Sequence, residues 1–146
     1  MLEAGHNVHL HNFLRPDHWD VADIWIASWD SSQPPMNHVA KHDWVFHQLE
    51  AMHERGALTI CALNKCTGGL AGFATFDASR GILLRIAVAT TARGAGVAGA
   101  LLERAKLLSP LGLSAQVPED NARALRFFAR EGFAAREQSD LMEWRG

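Results

Sequence analysis

Residues 88–99 read Val-Ala-Thr-Thr-Ala-Arg-Gly-Ala-Gly-Val-Ala-Gly, and they lead from a β-rich segment through a glycine-rich turn into a predicted helix. Glycines at three positions of this turn let the backbone come close to a ligand, where a Cβ would clash. The helix, predicted from Gly96 to about Leu108, points its unpaired N–H groups and the positive end of its dipole at the turn. Arg93 adds a guanidinium beside it. The stretch therefore predicts a site for an anionic group, and a pyrophosphate fits it best.

Two ligand classes fit this turn. The spacing Gly94-x-Gly96-x-x-Gly99, with a strand-like run at Leu113 to Val117 and then Glu119, fits the fingerprint of dinucleotide-binding domains. The same turn can also be read from Arg93 as Arg-x-x-Gly-x-Ala. Neither pattern is specific alone, so the order of the elements has to decide between them.

Length and composition bound the class of protein. The chain has 146 residues, which predicts one domain with a hydrophobic core, and 48% of them are hydrophobic. The formal net charge of −2 argues against nucleic acid or an anionic membrane as the main partner. No apolar run approaches the length of a membrane span, and the N-terminal residues carry no export signal. We therefore expect a single cytoplasmic domain over residues 1–146.

Hydrophobic periodicity and turn residues predict the order β-α-α-β-β-β-α-β-α-β-β. This order indicates an α/β (α+β) fold with a central mixed, mostly antiparallel sheet of about seven strands and helices on both faces. The predicted strands are Val8–Leu14, Leu58–Leu63, Leu70–Asp77, Ile82–Ala89, Leu113–Val117, Phe133–Gln138 and Leu141–Arg145. The predicted helices are His18–Trp29 (capped by Asp17), His38–Arg55, Gly96–Leu108 and Asn121–Glu131.

This order argues against a dinucleotide-binding domain. Such a domain needs two mononucleotide-binding halves, and its glycine fingerprint usually opens the first. Here an antiparallel meander precedes Gly94, and too few residues follow Glu119 to form a second half. A nicotinamide-dependent oxidoreductase is therefore the least favoured interpretation.

A second motif covers residues 121–133, which read Asn-Ala-Arg-Ala-Leu-Arg-Phe-Phe-Ala-Arg-Glu-Gly-Phe. It resembles a segment of the GNAT superfamily of acyl-CoA N-acyltransferases: Asn-x-x-Ala, two residues, Phe-Tyr, three residues, Gly-Phe. Phe128 stands where the family has its tyrosine. The Arg-x-x-Gly-x-Ala pattern from Arg93 is similar to the acyl-CoA-binding loop of that family, and residues 86–88 are similar to its Leu-x-Val. Since the element order also matches over the whole chain, the protein is identified as a GNAT-like N-acetyltransferase.

The resemblance implies a cleft between two splayed strands, Ile82–Val88 and Leu113–Val117. Pantetheine would lie along the first strand, the pyrophosphate would rest on the glycine turn, and acetyl-CoA would donate its acetyl group directly to a primary amine in a ternary complex. No metal cofactor is implied. The cofactor-binding residues implied are Ile86, Val88, Arg93, Gly94, Ala95, Gly96, Val97, Ala98, Gly99, Asn121 and Phe128.

The catalytic groups are less evident. In many GNAT relatives the tyrosine at the Phe128 position is the general acid, and this chain contains no tyrosine at all. The thiolate of a thiol with a pKa of about 8.5 is an adequate leaving group without an acid, so we expect slower turnover rather than none. The missing acid also motivates the alternative of a non-catalytic acetyl-CoA-binding module, a sensor or a structural ligand. Asp77 is a weak candidate for the base, beside Asp30, Glu119 and Asp120.

The acceptor is expected to be a small amine or amino-acid-like metabolite, with a protein terminus as the alternative. Trp29 and Met36 near the proline loop are expected to contact it, whereas Trp25 has the spacing of a core residue. Neither of the two histidine pairs, at positions 9 and 11 and at positions 38 and 42, has an evident third ligand, so no metal site is expected. Cys61 and Cys66 lack the spacing of a metal site or a disulfide framework. A homodimer is left open by the sequence.

Overall fold

The computed structural model describes residues 8–29, 33–136 and 139–146. It contains a seven-stranded sheet in the order β1-β2-β3-β4-β5-β7-β6. All neighbouring strands are antiparallel except β4 and β5, which are parallel. The predicted fold class and the mixed, mostly antiparallel sheet are confirmed. The strands are β1 Val8–Asn12, β2 Leu58–Asn64, β3 Leu70–Asp77, β4 Ile82–Val88, β5 Leu113–Gln116, β6 Ala134–Ala135 and β7 Leu141–Trp144, and the helices are α1 His18–Ala27, α2 His38–Glu54, α3 Val97–Leu108 and α4 Ala122–Arg130.

The start of α1 differs from the prediction. Asp17 does not cap this helix with its side chain, because Arg15–Asp17 forms a short 3-10 turn first. Its carboxylate instead accepts a hydrogen bond from the Leu14 N–H at 2.8 Å and lies 3.2 Å from His11 Nε2. β1 ends at Asn12 rather than at Leu14.

The predicted β6 is too long. The observed strand is only Ala134–Ala135, paired with β7 at the edge of the sheet. Phe133, predicted as its first residue, is instead a core residue that is 4% exposed. Residues 137 and 138 lie outside the described part of the chain.

Helices cover both faces of the sheet, as predicted. On one face α1 and α2 pack against Cys61 and Phe73, and on the other α3 packs against Ile60 and Ala74. These strand residues alternate between the two faces because successive side chains of a strand point in opposite directions. The central strands are therefore buried on both sides and read as nearly continuous apolar runs. None of the described helices is both long and apolar enough to cross a lipid bilayer.

The sheet divides between β4 and β5. These strands are paired only at Ile82–Ser114 and Leu83–Ala115, although β4 continues to Val88. A bulge at Leu84 shifts the register of β4 on β3 just beyond the last of these pairs. Because a bulge bends the strand that carries it, β4 leaves β5 at this point and opens a V.

Candidate active site

A cleft of about 750 Å³ lies where β4 and β5 separate, bordered by the turn before α3 and by one side of α4. The structure brings together at this cleft almost all of the residues that the family resemblance implied for the cofactor. Ala95 belongs to the same turn but is not part of the lining. The predicted residues that line it are Ile86, Val88, Arg93, Gly94, Gly96, Val97, Ala98, Gly99, Asn121 and Phe128.

The turn before α3 depends on two glycines in the left-handed region. Gly94 has φ 81° and Gly96 has φ 75°, a conformation that side chains with a Cβ disfavour. Gly96 is also the N-cap of α3, and no side chain caps this end of the helix. The first N–H groups of α3, from Val97 to Gly99, therefore face the cleft without an intrahelical acceptor.

The other main-chain donors come from β4. Ala89 N donates to Ala71 O at 2.7 Å, so the hydrogen-bonded pairs of this antiparallel ladder are 89–71, 87–73 and 85–75. Ile86 and Val88 lie at the alternate positions, so their N–H and C=O groups point away from β3. No described strand pairs with β4 on that side beyond Leu83. The edge of β4 thus offers unused hydrogen-bonding groups to the cleft.

Close packing of α3 on the sheet holds the turn in place. A Cβ on Gly72 of β3 would lie 2.8 Å from Ala87 O and 3.2 Å from side-chain atoms of Val97 and Leu101. Only glycine at this position lets α3 approach the sheet so closely. This glycine was not singled out in the sequence, because its role depends on a helix more than twenty positions away.

The cleft is lined by more cationic than anionic side chains. Arg93, Arg123 and Arg130 line it and form no ion pair with another described residue. Among the described residues, the lining includes one carboxylate, that of Glu131, which lies 3.9 Å from Lys106 Nζ. Arg123 and Arg130 were not predicted, although their spacing on α4 places them near one side of a helix. The balance of charge favours an anionic ligand.

Two predicted cofactor residues also have clear structural roles. Asn121 caps α4, since its side-chain oxygen accepts a hydrogen bond from Ala124 N at 3.1 Å. Phe128 is 6% exposed, and its ring packs 5.1 Å from the rings of both Phe127 and Phe133. Phe128 is therefore a core residue whose ring also reaches the cleft.

Of the carboxylates predicted as bases, those in the described part of the chain do not line the cleft. Asp77 is the buried last residue of β3 and pairs with Ile82, at the end of β4 that is remote from Val88. There it accepts hydrogen bonds from Ser79 Oγ at 2.7 Å and Arg80 N at 3.1 Å. The Ser79 hydrogen bond is the main reason why the pKa of Asp77 is lowered, which makes it a weaker base. Glu119 and Asp120 are exposed in the turn after β5, and Asp30 lies outside the described residues.

The predicted acceptor residues are not part of the cleft lining. Trp29 donates from Nε1 to Pro34 O at 3.1 Å and packs against Trp44 at 5.2 Å between ring centroids. Met36 is partly buried and does not line the cleft either. Trp25 is 3% exposed, as expected for a core residue.

Arg85 and Ser28 also line the cleft, and the sequence analysis predicted neither of them as a site residue. Arg85 Nη2 donates to Ser28 Oγ at 2.8 Å, and the guanidinium lies 5.0 Å from the centroid of the Trp25 ring. The only signal in the sequence is that Arg85 interrupts the apolar run of β4. Its neighbours from α1 could not be anticipated without the tertiary structure.

Comparisons with known proteins agree with this geometry. The family model described as an acetyltransferase (GNAT) domain matches residues 54–135. No curated protein sequence matches the chain. Among solved structures, a histone acetyltransferase HPA2-related acetyltransferase from Corynebacterium glutamicum aligns with a TM-score of 0.75 and 15% identity over 95% of this chain and 96% of its own.

Two further structures were solved with a ligand. The PaiA N-acetyltransferase of Thermoplasma acidophilum, in complex with coenzyme A, aligns with a TM-score of 0.70 and 14% identity over 95% of this chain and 99% of its own. YncA of Salmonella typhimurium, solved with acetyl-CoA, aligns with a TM-score of 0.65 and 16% identity over 95% and 94%. At these identities the likeness shows the fold alone. The match of the family model over more than half of the sequence shows more: the protein belongs to the GNAT acetyltransferase family.

Proposed function

We propose that this acyltransferase is an N-acetyltransferase that moves an acetyl group from acetyl-CoA to the primary amine of a small acceptor. The observation that carries the proposal is the unpaired edge of β4 at Ile86 and Val88, directly before the glycine turn. Pantetheine carries two amides, and an extended amide chain can pair with such an edge as an added strand. The helix N-terminus beyond it suits the pyrophosphate that follows pantetheine in coenzyme A.

The side chains of the cleft support an anionic cofactor of this size. In the proposed complex, the glycine turn and the N–H groups of residues 97–99 hold the pyrophosphate. Arg93 lies beside it, and the arginines of α4 meet the remaining phosphate charge. Asn121 keeps its amide NH₂ group for the cofactor, because only its oxygen is used in capping α4.

Transfer in this proposal is direct. The neutral amine nitrogen forms a bond to the thioester carbonyl carbon, the carbon–sulfur bond breaks, and the sulfur leaves as the thiolate of coenzyme A. The proton of the amine passes to a base or to water, and N–H groups of the β4 edge stabilise the oxyanion. A covalent acyl-cysteine is disfavoured, because burial raises the pKa of Cys61 to about 12 and Cys66 does not line the cleft.

A non-catalytic acetyl-CoA-binding module is the second candidate, and Phe128 is the observation that favours it. No hydroxyl stands at the position where many GNAT enzymes have their acid, and the chain has no tyrosine. The absence of a general acid commonly costs about 10²-fold or more in rate. A cytoplasmic location remains an expectation from the sequence, which leaves a homodimer open.

Two measurements test these alternatives. Calorimetry with acetyl-CoA, coenzyme A and NAD should show binding of the first two and none of NAD. Thiol release from acetyl-CoA in the presence of an amine library should then identify an acceptor. Tight acetyl-CoA binding without thiol release for any amine supports the module, and absence of acetyl-CoA binding contradicts both candidates.

A further inference from the structure

Three potential metal ligands meet where α1 packs against α2, outside the cleft. Asp23 of α1 supplies a carboxylate, and His38 and His42 of α2 supply two imidazoles. One ligand atom from each lies within 4.8 Å of the other two. The sequence shows the histidine pair, four residues apart on one side of a helix, but Asp23 is 19 positions before His42 and joins the pair only through the fold. We propose that these three residues bind Zn²⁺ or a similar divalent transition-metal ion.

The chemistry of the three ligands selects the ion. Two imidazole nitrogens and one carboxylate oxygen suit Zn²⁺ and its neighbours among the transition metals, whereas Mg²⁺ and Ca²⁺ prefer oxygen ligands alone. His42 Nε2 is already 2.8 Å from Asp23 Oδ1. Tetrahedral zinc with bonds of about 2.0–2.1 Å holds its ligand atoms about 3.3 Å apart, so small side-chain rotations complete the site.

His42 is held ready to act as a ligand. Its ring is 4% exposed, and Nδ1 lies 3.1 Å from the backbone oxygen of His38. A carbonyl oxygen only accepts, so Nδ1 carries a proton and Nε2 is directed at Asp23. The Trp19 ring stacks on the imidazole at 4.3 Å and 17°, which fixes its plane. Histidines that bind a metal through one ring nitrogen commonly donate the N–H of the other to a group such as a backbone carbonyl, as Nδ1 of His42 does here.

The other two ligands leave the site accessible. The side chain of Asp23 is 50% exposed, and His38 is exposed at the first residue of α2. An ion can therefore enter from solvent, replace the contact between Nε2 and Asp23, and keep water in its remaining position. The bound ion would bridge the middle of α1 and the start of α2.

A second cluster is a weaker candidate. His11, Asp17 and Cys61 also come within 4.8 Å of one another. However, the Asp17 carboxylate already accepts a hydrogen bond from Leu14 N, and Cys61 is fully buried in the core. Burial that removes a thiol from water also disfavours the thiolate that would bind a metal.

Calorimetric titration of the chelator-treated full chain with Zn²⁺ tests the proposal. The wild type should bind one ion, excess Mg²⁺ should not compete, and the melting temperature should rise with Zn²⁺ because the ion binds the folded state. His38→Gln changes an exposed side chain, and Asp23→Asn keeps an oxygen beside His42 while removing the carboxylate charge. Each should weaken zinc binding by at least about tenfold, since even outer-shell losses cost 10- to 100-fold.

His47→Gln is the matched control, because His47 lies on the same helix, is exposed and faces Asp43 at 3.6 Å with no third potential ligand among the described residues. It should bind zinc as the wild type does. The proposal is overturned if the wild type shows no saturable zinc binding, if Mg²⁺ competes, or if either Asp23→Asn or His38→Gln binds zinc as tightly as the wild type. Loss of binding in a His11→Asn variant, with His38→Gln unaffected, would assign the ion to the other cluster and overturn it equally.

Discussion

The glycine turn with α3 and the pair α1–α2 cover opposite faces of the same sheet, and they offer different atoms to a ligand. The turn offers main-chain N–H groups from consecutive residues, held by two glycines with positive φ. The α1–α2 pair offers side chains from distant positions, among them Asp23, His42 and the aromatic rings around them. Recognition by the main chain depends on local conformation, whereas a side-chain cluster exists only once two helices have packed.

This difference has a consequence for mutations. A change in the turn should act on ligand binding directly, because the binding groups and the residues that shape them are the same. A change in α1 or α2 should act first on packing, protonation or an ion between the helices.

Replacing Gly96 by valine should have the largest effect. Gly96 has φ 75°, which costs a residue with a Cβ about 1–2 kcal/mol, and relaxation of the turn would redirect its N–H groups. We expect acetyl-CoA affinity to fall by about 100-fold or more, measured by calorimetry. Gly68→Val is the matched control, with φ 77°, open space around the added Cβ and a position in the β2–β3 turn. Equal affinities in the two variants would contradict the proposed pyrophosphate site.

Arg93→Ala should weaken acetyl-CoA binding by about 1–3 kcal/mol, the range of a charge-assisted hydrogen bond. This corresponds to a loss of about 5- to 150-fold in affinity. Arg126→Ala removes the same charge from an exposed position of α4 that does not line the cleft, and it should leave affinity nearly unchanged. A similar loss in both variants would show that only the total charge of the protein matters.

Phe128→Tyr tests whether this position faces the leaving sulfur. If it does, the added hydroxyl can protonate the thiolate, and turnover with an identified acceptor should rise by about tenfold or more. Phe127→Tyr introduces the same hydroxyl on the neighbouring ring, which also lines the cleft, and should give no comparable gain. Steady-state rates of thiol release compare the two. Unchanged turnover in Phe128→Tyr would contradict a role for this position in proton transfer.

The smallest effect is a pH dependence of stability on the α1–α2 side. Burial lowers the pKa of His53, and His18 nearby lowers it further, while His53 Nε2 lies 2.7 Å from Thr59 Oγ1. The unfolded chain therefore binds more protons than the folded chain, and stability is lost as the pH falls below about 6.5. Urea midpoints should decrease on acidification, and less so in His53→Gln.

His47→Gln is the control for this measurement, because His47 is exposed and its side chain is 70% accessible. Its midpoints should follow those of the wild type across the same pH range. A His53→Gln variant with the full pH dependence of the wild type would contradict the assignment to His53.

The structure around the cleft could largely be predicted from the sequence. The glycine turn, α3 and the N-cap of α4 at Asn121 depend on contacts within a few residues, so their patterns report them directly. The boundaries of α3 and β4 accordingly differ from the prediction by one residue at most. The free edge of β4 at Ile86 and Val88 was implied by the family resemblance, and the register of β3 on β4 accounts for it.

The errors concentrate where a residue has two competing partners. Asp17 was predicted to cap α1, but its carboxylate accepts a hydrogen bond from the Leu14 N–H and contacts His11 instead. Phe133 was predicted to begin a strand, but its ring is buried against Phe128 and the strand begins one residue later. Short-range patterns cannot rank such alternatives, because the competing partner is supplied by packing.

The order of elements, the helix faces and the glycine turn were determined by the sequence alone, because each follows from backbone conformation and periodic burial over a few residues. Only the tertiary structure decided that Arg85 would meet Ser28 and Trp25, that Gly72 would let α3 approach the sheet, and that Asp23 would join two histidines. Each of these contacts joins residues far apart in the chain. Their geometry is set by how helices pack on strands, which no local pattern of residues encodes.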